Sequence, residues 1–258
     1  MSRIAAVFGK PGHKALVPYI TVGYPRLDST LPAAGVLAAA GADILELGIP
    51  FSDPLADGAT IQASSYRALQ NGVNTRLCLD TAHSIRRQSD IPLVFMTYFN
   101  PVLNYGPDEF CRACAGAGID GLIVPDLPPE EGEALAGTAA SLGIDLIYLL
   151  SPASTAERIR IVAAKSRGYI YLVSVTGVTG ARSTLPPSLT GFVQRVREVA
   201  HQPLCVGFGI SGAEQARQVA AVADGVIVGS RLIQLMAEDE TLKRLGAFTR
   251  ELRTAIGE

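Results

Sequence analysis

The chain has 258 residues, 48% of them hydrophobic, and its 22 Lys+Arg against 24 Asp+Glu leave a net charge of −2. That length suits one large core, and α/β barrels use about 250 residues for a single domain, so residues 1–258 are expected to form one domain. With no basic run, no stretch near the roughly 18 apolar residues that span a bilayer and no export-signal pattern over Met1–Lys10, neither nucleic acid nor a membrane is an expected partner, and the cytoplasm or an equivalent reducing compartment is the expected location.

Short apolar, β-rich runs recur along the chain, each followed by Gly, Pro, Asp or Ser and then a segment of helical periodicity. In order they are Leu16–Val22, Ile44–Ile49, Pro92–Tyr98, Gly121–Val124, Leu146–Leu150, Tyr169–Val175, Pro203–Phe208 and Gly225–Val228, which predicts eight strands. They read as nearly continuous apolar runs, as parallel strands covered on both faces do. Eight βα units point to a (β/α)₈ TIM barrel, with a doubly wound open sheet as the alternative that periodicity leaves open. Three repeats share a local pattern at 41–48, 118–125 and 223–229, where a helix ends in Gly or Ala and an Asp enters the next strand.

The second and third runs are separated by an unusually long stretch that begins Pro50-Phe51-Ser52-Asp53-Pro54-Leu55-Ala56-Asp57-Gly58 and continues through a predicted helix, Thr60 to Gln70, before a second near Thr75 to Arg87. The insertion follows the C-terminal end of strand 2, the barrel face that carries active sites, and a long loop there is more often functional than decorative. Cys111 and Cys114 form a lone C-x-x-C within a predicted helix; without a second pair or a nearby His they read as buried packing residues, and no disulfide is assigned among the four cysteines.

Glu46 lies in Ile44-Leu45-Glu46-Leu47-Gly48, where every neighbour is apolar. A carboxylate there points into the barrel mouth or is buried, and burial raises its pKa toward that of a general acid at neutral pH; a buried Glu paired to a polar neighbour is the competing reading. Asp57 reads as a turn residue or helix N-cap as readily as a functional carboxylate. Gly207-Phe208-Gly209 after strand 7 and Val228-Gly229-Ser230 after strand 8 occupy the two loops in which barrels often bind phosphate. The glycine-rich connection 174–183 after strand 6 is a candidate lid. None of the four lysines follows a strand, which removes a Schiff-base aldolase, and the three histidines offer no metal site. Carbon–carbon chemistry here falls to carboxylates.

The run from Glu46 to Gly58 resembles the signature of the tryptophan synthase α subunit family. Supporting matches are Val17-Pro18-Tyr19-Ile20-Thr21, Tyr98-Phe99-Asn100-Pro101, Val178-Thr179-Gly180 and Gly207-Phe208-Gly209-Ile210, in order along nearly the whole chain. The resemblance implies a lyase of tryptophan biosynthesis that cleaves indole-3-glycerol phosphate to indole and glyceraldehyde 3-phosphate by a retro-aldol reaction. It implies Glu46 as acid and base, Asp57 as the carboxylate holding indole N1–H, and Tyr171 near the glycerol hydroxyl. Indole is expected against Tyr19, Ile61, Tyr98 and Phe208, and phosphate on backbone N–H groups around Gly180, Gly209, Gly229 and Ser230, with Thr179 coupling the lid to Asp57. No cofactor is expected in this chain; pyridoxal phosphate is expected only in a β subunit that joins it as α2β2 and receives the indole, with loops 50–58 and 175–185 relaying between sites. Two departures, Tyr24 where some members carry Asp and Val175 where some carry Arg, bear on the lid and on partner coupling. A stand-alone indole-glycerol-phosphate lyase shares every one of these motifs. A phosphosugar isomerase or epimerase would share only the phosphate loops, and the carboxylate pair speaks against a non-catalytic phosphate-binding subunit.

Overall fold

Nine short strands make one parallel sheet: β1 (Ala15–Thr21), β2 (Leu45–Gly48), β3 (Leu93–Met96), β4 (Gly121–Ile123), β5 (Asp145–Ile147), β6 (Leu149–Leu150), β7 (Ile170–Val173), β8 (Leu204–Gly207) and β9 (Gly225–Val228). They belong to a computed structural model that describes residues 2–173, 188–207 and 209–257. The strand order is β5-β4-β3-β2-β1-β9-β8-β7-β6, with β5 and β6 at its two ends. These two are halves of one stave. β5 bonds to β4, β6 bonds to β7, and between them the Tyr148 carbonyl accepts from the Tyr171 N–H at 3.0 Å. The sheet therefore closes, the strands run round it in chain order, and the fold is the (β/α)₈ barrel; a doubly wound sheet would reverse its strand order at a switch point.

Eight predicted runs thus correspond to eight staves, one of them interrupted. Most observed strands stop one or two residues short of the predicted C-terminal end, because the ladder ends where loops diverge toward the mouth. The predicted ends at Val175 and Phe208 lie outside the described residues. The insertion after β2 forms two helices, Ala59–Gln70 and Thr75–Arg86. Two short helices were not legible in the periodicity, Arg3–Phe8 before β1 and Phe99–Tyr105 directly after β3.

Each strand alternates between two cores. Ala15, Val17, Tyr19, Ile44, Val94, Met96, Ile123, Ile147, Tyr169, Tyr171, Cys205 and Ile227 face the barrel interior, whereas Leu16, Ile20, Leu45, Leu47, Leu93, Phe95, Leu122, Leu172 and Val206 pack under the helices. Both faces are buried, hence the continuous apolar runs. The helix Arg3–Phe8 plugs the floor. Ile4 is fully buried within the interior set, Ser2 Oγ donates to Asp145 at 2.7 Å, and Arg3 pairs with Asp120 at 3.0 Å.

The repeated Asp has a structural task at this lower rim. Asp43, Asp120 and Asp224 each accept a backbone N–H at or next to the start of the preceding stave, from Leu16 at 2.8 Å, Leu93 at 2.9 Å and Leu204 at 2.8 Å. Each also holds an arginine from a covering helix: Arg253, Arg86 and Arg197 respectively. One short carboxylate thereby satisfies a strand-end donor that has no ladder partner and ties a helix to the barrel. Cys78, Cys111, Cys114 and Cys205 are all buried and free. No helix among the described residues is long and apolar enough to cross a membrane.

Candidate active site

The interior face of β2 carries Glu46 and Gly48, continuing from Ile44 just before the strand, so the alternation that buries Leu45 and Leu47 under the helices turns Glu46 into the barrel. Its exposure is 0%. Glu46 is thus interior-facing and buried, with a polar neighbour. Tyr169 donates its hydroxyl to Glu46 Oε1 at 2.6 Å, while Oε2 has no hydrogen-bond partner among the described residues. Desolvation pushes the Glu46 pKa up to about 8, against the Tyr169 hydrogen bond, which lowers it. At pH 7 the carboxyl is therefore mostly protonated, with one oxygen committed and the other open.

Asp57 comes from the insertion. The turn that carries it is pinned by the Asp57 N–H to Pro54 carbonyl bond at 3.1 Å and by Gln62 Nε2 donating to the Asp57 carbonyl at 2.9 Å. The helix N-cap is Gly58, so Asp57 sits one residue ahead of the cap and does not itself cap the helix. Tyr98, at the end of stave 3, accepts the Ala56 N–H at 2.9 Å, which sets its hydroxyl beside the Asp57 turn. Phe51 stacks at 5.4 Å on the Tyr98 ring and holds it under the loop. Burial raises the Asp57 pKa to about 6, with the Tyr98 hydrogen bond opposing. The environments separate two carboxyls by about two units, so near pH 7 one is an acid and the other an anion.

Three further predicted residues line the same interior. Tyr19 is paired in register with Glu46, and its hydroxyl occupies the space above Gly48: a Cβ added at Gly48 would lie 2.0 Å from that oxygen. Tyr171 does the same beside Gly207, where an added Cβ would meet its hydroxyl at 2.3 Å. Ile61, on the first turn of the helix Ala59–Gln70, packs in the interior set with Tyr19 and lies near Gly229. The two glycines on β2 and β8 thus make room for the two interior tyrosines. Gly209 has φ +79°, and Gly229 is the N-cap of the helix Ser230–Glu238, with no side-chain cap hydrogen bond among the described residues. Thr179, Gly180, Phe208 and the lid at 175–185 lie outside the described residues.

The sequence reading missed Tyr169, the partner of Glu46. The signal was present in a weak form: Tyr169 and Tyr171 are two apart on one stave and so share a face. It also missed Thr21 and Ser64, whose hydroxyls meet at 2.7 Å beside Tyr19.

Comparison with known proteins bears on the whole of this arrangement. The family model described as tryptophan synthase alpha chain matches residues 6–256. The tryptophan synthase alpha chain of Dehalococcoides mccartyi is 54% identical over 256 residues, covering 99% of this chain and 100% of that one. That of Geobacter sulfurreducens is 48% identical over 264 residues, covering 100% of both. Among solved structures, Mycobacterium tuberculosis tryptophan synthase superposes with a TM-score of 0.92 at 40% identity, covering 99% of this chain and 98% of that one. The tryptophan synthase subunit alpha of Legionella pneumophila gives 0.92 at 38% identity with the same coverage.

Proposed function

We propose how this site works from the premise that the chain belongs to the tryptophan synthase alpha chain family. It is accordingly a lyase of tryptophan biosynthesis, and the reaction of the family is cleavage of indole-3-glycerol phosphate to indole and glyceraldehyde 3-phosphate. We read residues 1–258 as one barrel domain, on the strength of the single closed sheet and the match over 6–256.

The observation that carries the mechanism is the fully buried Glu46, with Oε1 held by Tyr169 and Oε2 without a hydrogen-bond partner among the described residues. Glu46 gives its proton to indole C3, which turns the ring into an indolenine with positive charge at N1. The Asp57 carboxylate accepts the N1–H and stabilises that charge as it forms. The ionised Glu46 then takes the proton of the C3′ hydroxyl as the C3–C3′ bond breaks, returning the electron pair to the ring and leaving an aldehyde. One proton is donated and one collected, so the cycle closes without an oxidant, a reductant or a cofactor in this chain. Burial raises the Tyr171 pKa, and Glu46 and Asp57 lie close enough to raise it further, which suits a group beside the glycerol hydroxyl. A positioned acid–base group of this kind contributes about 10²–10⁴ in rate.

Indole would lie against Tyr19, Ile61, Tyr98 and Phe208, and the phosphate on N–H groups around Gly180, Gly209, Gly229 and Ser230. The uncapped first turn of Ser230–Glu238 supports this, because its orphan donors and helix dipole suit an anion. Thr179 is assigned to lid closure over Asp57. A β subunit carrying pyridoxal phosphate is the partner in an α2β2 assembly. Support comes from Leu55, on the loop after β2, and Leu103, on the helix after β3. They are 91% and 58% exposed, and both lie beyond C-terminal strand ends. The free, buried cysteines suit a reducing cytoplasm. Indole release from indole-3-glycerol phosphate, assayed with and without the β subunit, tests the assignment. Release that rises with the partner supports the assembly, unaffected release indicates a stand-alone lyase, and none in either condition overturns the reading.

A further inference from the structure

Three hydroxyls run in line from the barrel interior to the helix Ala59–Gln70. The Tyr19 hydroxyl is 3.5 Å from Thr21 Oγ1, Thr21 Oγ1 is 2.7 Å from Ser64 Oγ, and Ser64 Oγ donates to the Ile61 carbonyl at 2.8 Å. The direction of this chain is determined by its last member. A carbonyl only accepts, so with all three bonds made together the single Ser64 proton goes to Ile61. Thr21 must then donate to Ser64, and its remaining lone pair faces Tyr19. All three residues are buried, Thr21 at 0%, Ser64 at 1% and Tyr19 at 7%, so no water competes for the protons. The Tyr19 proton is turned toward Thr21, and its oxygen keeps lone pairs on the opposite side. That oxygen stands over Gly48, in the layer above Glu46; burial raises its pKa, and Asp57 is the next contributor.

Resting on the lyase reading above, we propose that Tyr19 is a specificity-determining residue. Its hydroxyl oxygen, oriented by Thr21 and Ser64, accepts a hydrogen bond from the ring N–H of the substrate beside Asp57. Thr21 and Ser64 are positioning residues that never touch the ligand. A neutral acceptor is well suited to this role. It adds to the selection for N–H without placing a second full negative charge beside Asp57, which would push the Asp57 pKa further up and leave it protonated. A site built to pair with a polar hydrogen rejects the isostere that lacks it, because its own buried acceptor is left unpaired. An apolar ring at position 19 would leave that selection to Asp57 alone.

Two uncleavable probes make the test: indole-3-propanol phosphate and the same molecule with sulfur in place of the ring N–H. Calorimetry on the full chain gives the ratio of their Kd values. The wild type is expected to favour the N–H probe. Tyr19→Phe, which keeps the ring and its packing, is expected to lower that preference by roughly three- to tenfold, the span of one neutral hydrogen bond. Ser64→Ala removes the anchor of the chain without touching the ligand and is expected to lower it in the same direction, an effect that lost packing alone does not produce. An unchanged ratio in Tyr19→Phe overturns the proposal. A reduced ratio in Tyr19→Phe with none in Ser64→Ala overturns the orienting role of the chain. Should wild-type protein release no indole from indole-3-glycerol phosphate, the lyase reading fails and this proposal falls with it; normal release with an unchanged ratio sinks this proposal alone.

Discussion

Tyr169 and Glu46, 123 positions apart in the sequence, share a 2.6 Å hydrogen bond inside the barrel. The bond leaves Glu46 with one oxygen held and one open, and it tempers the pKa rise that burial imposes. Tyr169→Phe removes the donor while keeping the ring that packs at 6.2 Å from Phe8. The Glu46 pKa should then rise above about 8. The expected result is an alkaline limb of kcat/KM displaced to higher pH, with a severalfold loss of kcat from the less constrained carboxyl. A pH–rate series on the two proteins checks this, and an unmoved limb would show that the bond does not tune Glu46.

The same two shifts set the whole profile. Glu46 must carry a proton to act as acid and Asp57 must be ionised to hold N1–H. Activity should rise through about pH 6 as Asp57 deprotonates and fall through about pH 8 as Glu46 does. The kcat/KM profile of the wild type should be a bell with those limbs, which report the free enzyme. Asp57→Asn should abolish the acid limb along with most of the activity.

Stability should carry the opposite imprint. The Glu46 pKa is raised on folding, so its contribution is complete below the unfolded value of 4.5 and is lost as pH rises through about 8. Wild-type stability should therefore decline between about pH 5 and pH 8 relative to Glu46→Gln, by a few kcal/mol at most, since relaxation limits the cost of a buried charge. Urea denaturation of both proteins across that range measures it; parallel curves would contradict the burial argument.

At the lower rim, Asp120→Ala leaves the Leu93 N–H and the Arg86 guanidinium without their carboxylate. Breaking such a buried pair costs about 3–5 kcal/mol. The variant should lose stability on that scale while kcat in the folded fraction stays within about twofold, because the rim lies at the far end of the strands from the mouth. Thermal melts alongside activity at low temperature separate the two effects.

The barrel and the buried Glu46 were legible because they depend on local pattern, whereas Asp57 stood out only through the family resemblance. Continuous apolar runs encode strands buried on both faces, and a Glu flanked by Ile44, Leu45 and Leu47 can only be buried or turned inward. The contacts that complete the site depend on closure. Tyr169 reads as the apolar start of a strand until the staves on either side of the barrel are brought together. The direction of the Tyr19–Thr21–Ser64 chain depends on a carbonyl within the inserted helix. The floor helix Arg3–Phe8 was hidden for another reason: at six residues it is too short for periodicity to reveal, and its stability comes from Ile4 filling the barrel and from the Ser2 cap.

The most direct test of the account is Glu46→Gln, assayed for indole release from indole-3-glycerol phosphate and for binding of an uncleavable indole phosphate. The substitution keeps the shape and a hydrogen-bond acceptor for Tyr169 but removes the proton that moves. Binding within a few-fold of wild type, with release reduced by at least about 10²-fold, is the predicted result. Release near the wild-type rate would contradict the assignment of Glu46 as the acid and base of the reaction.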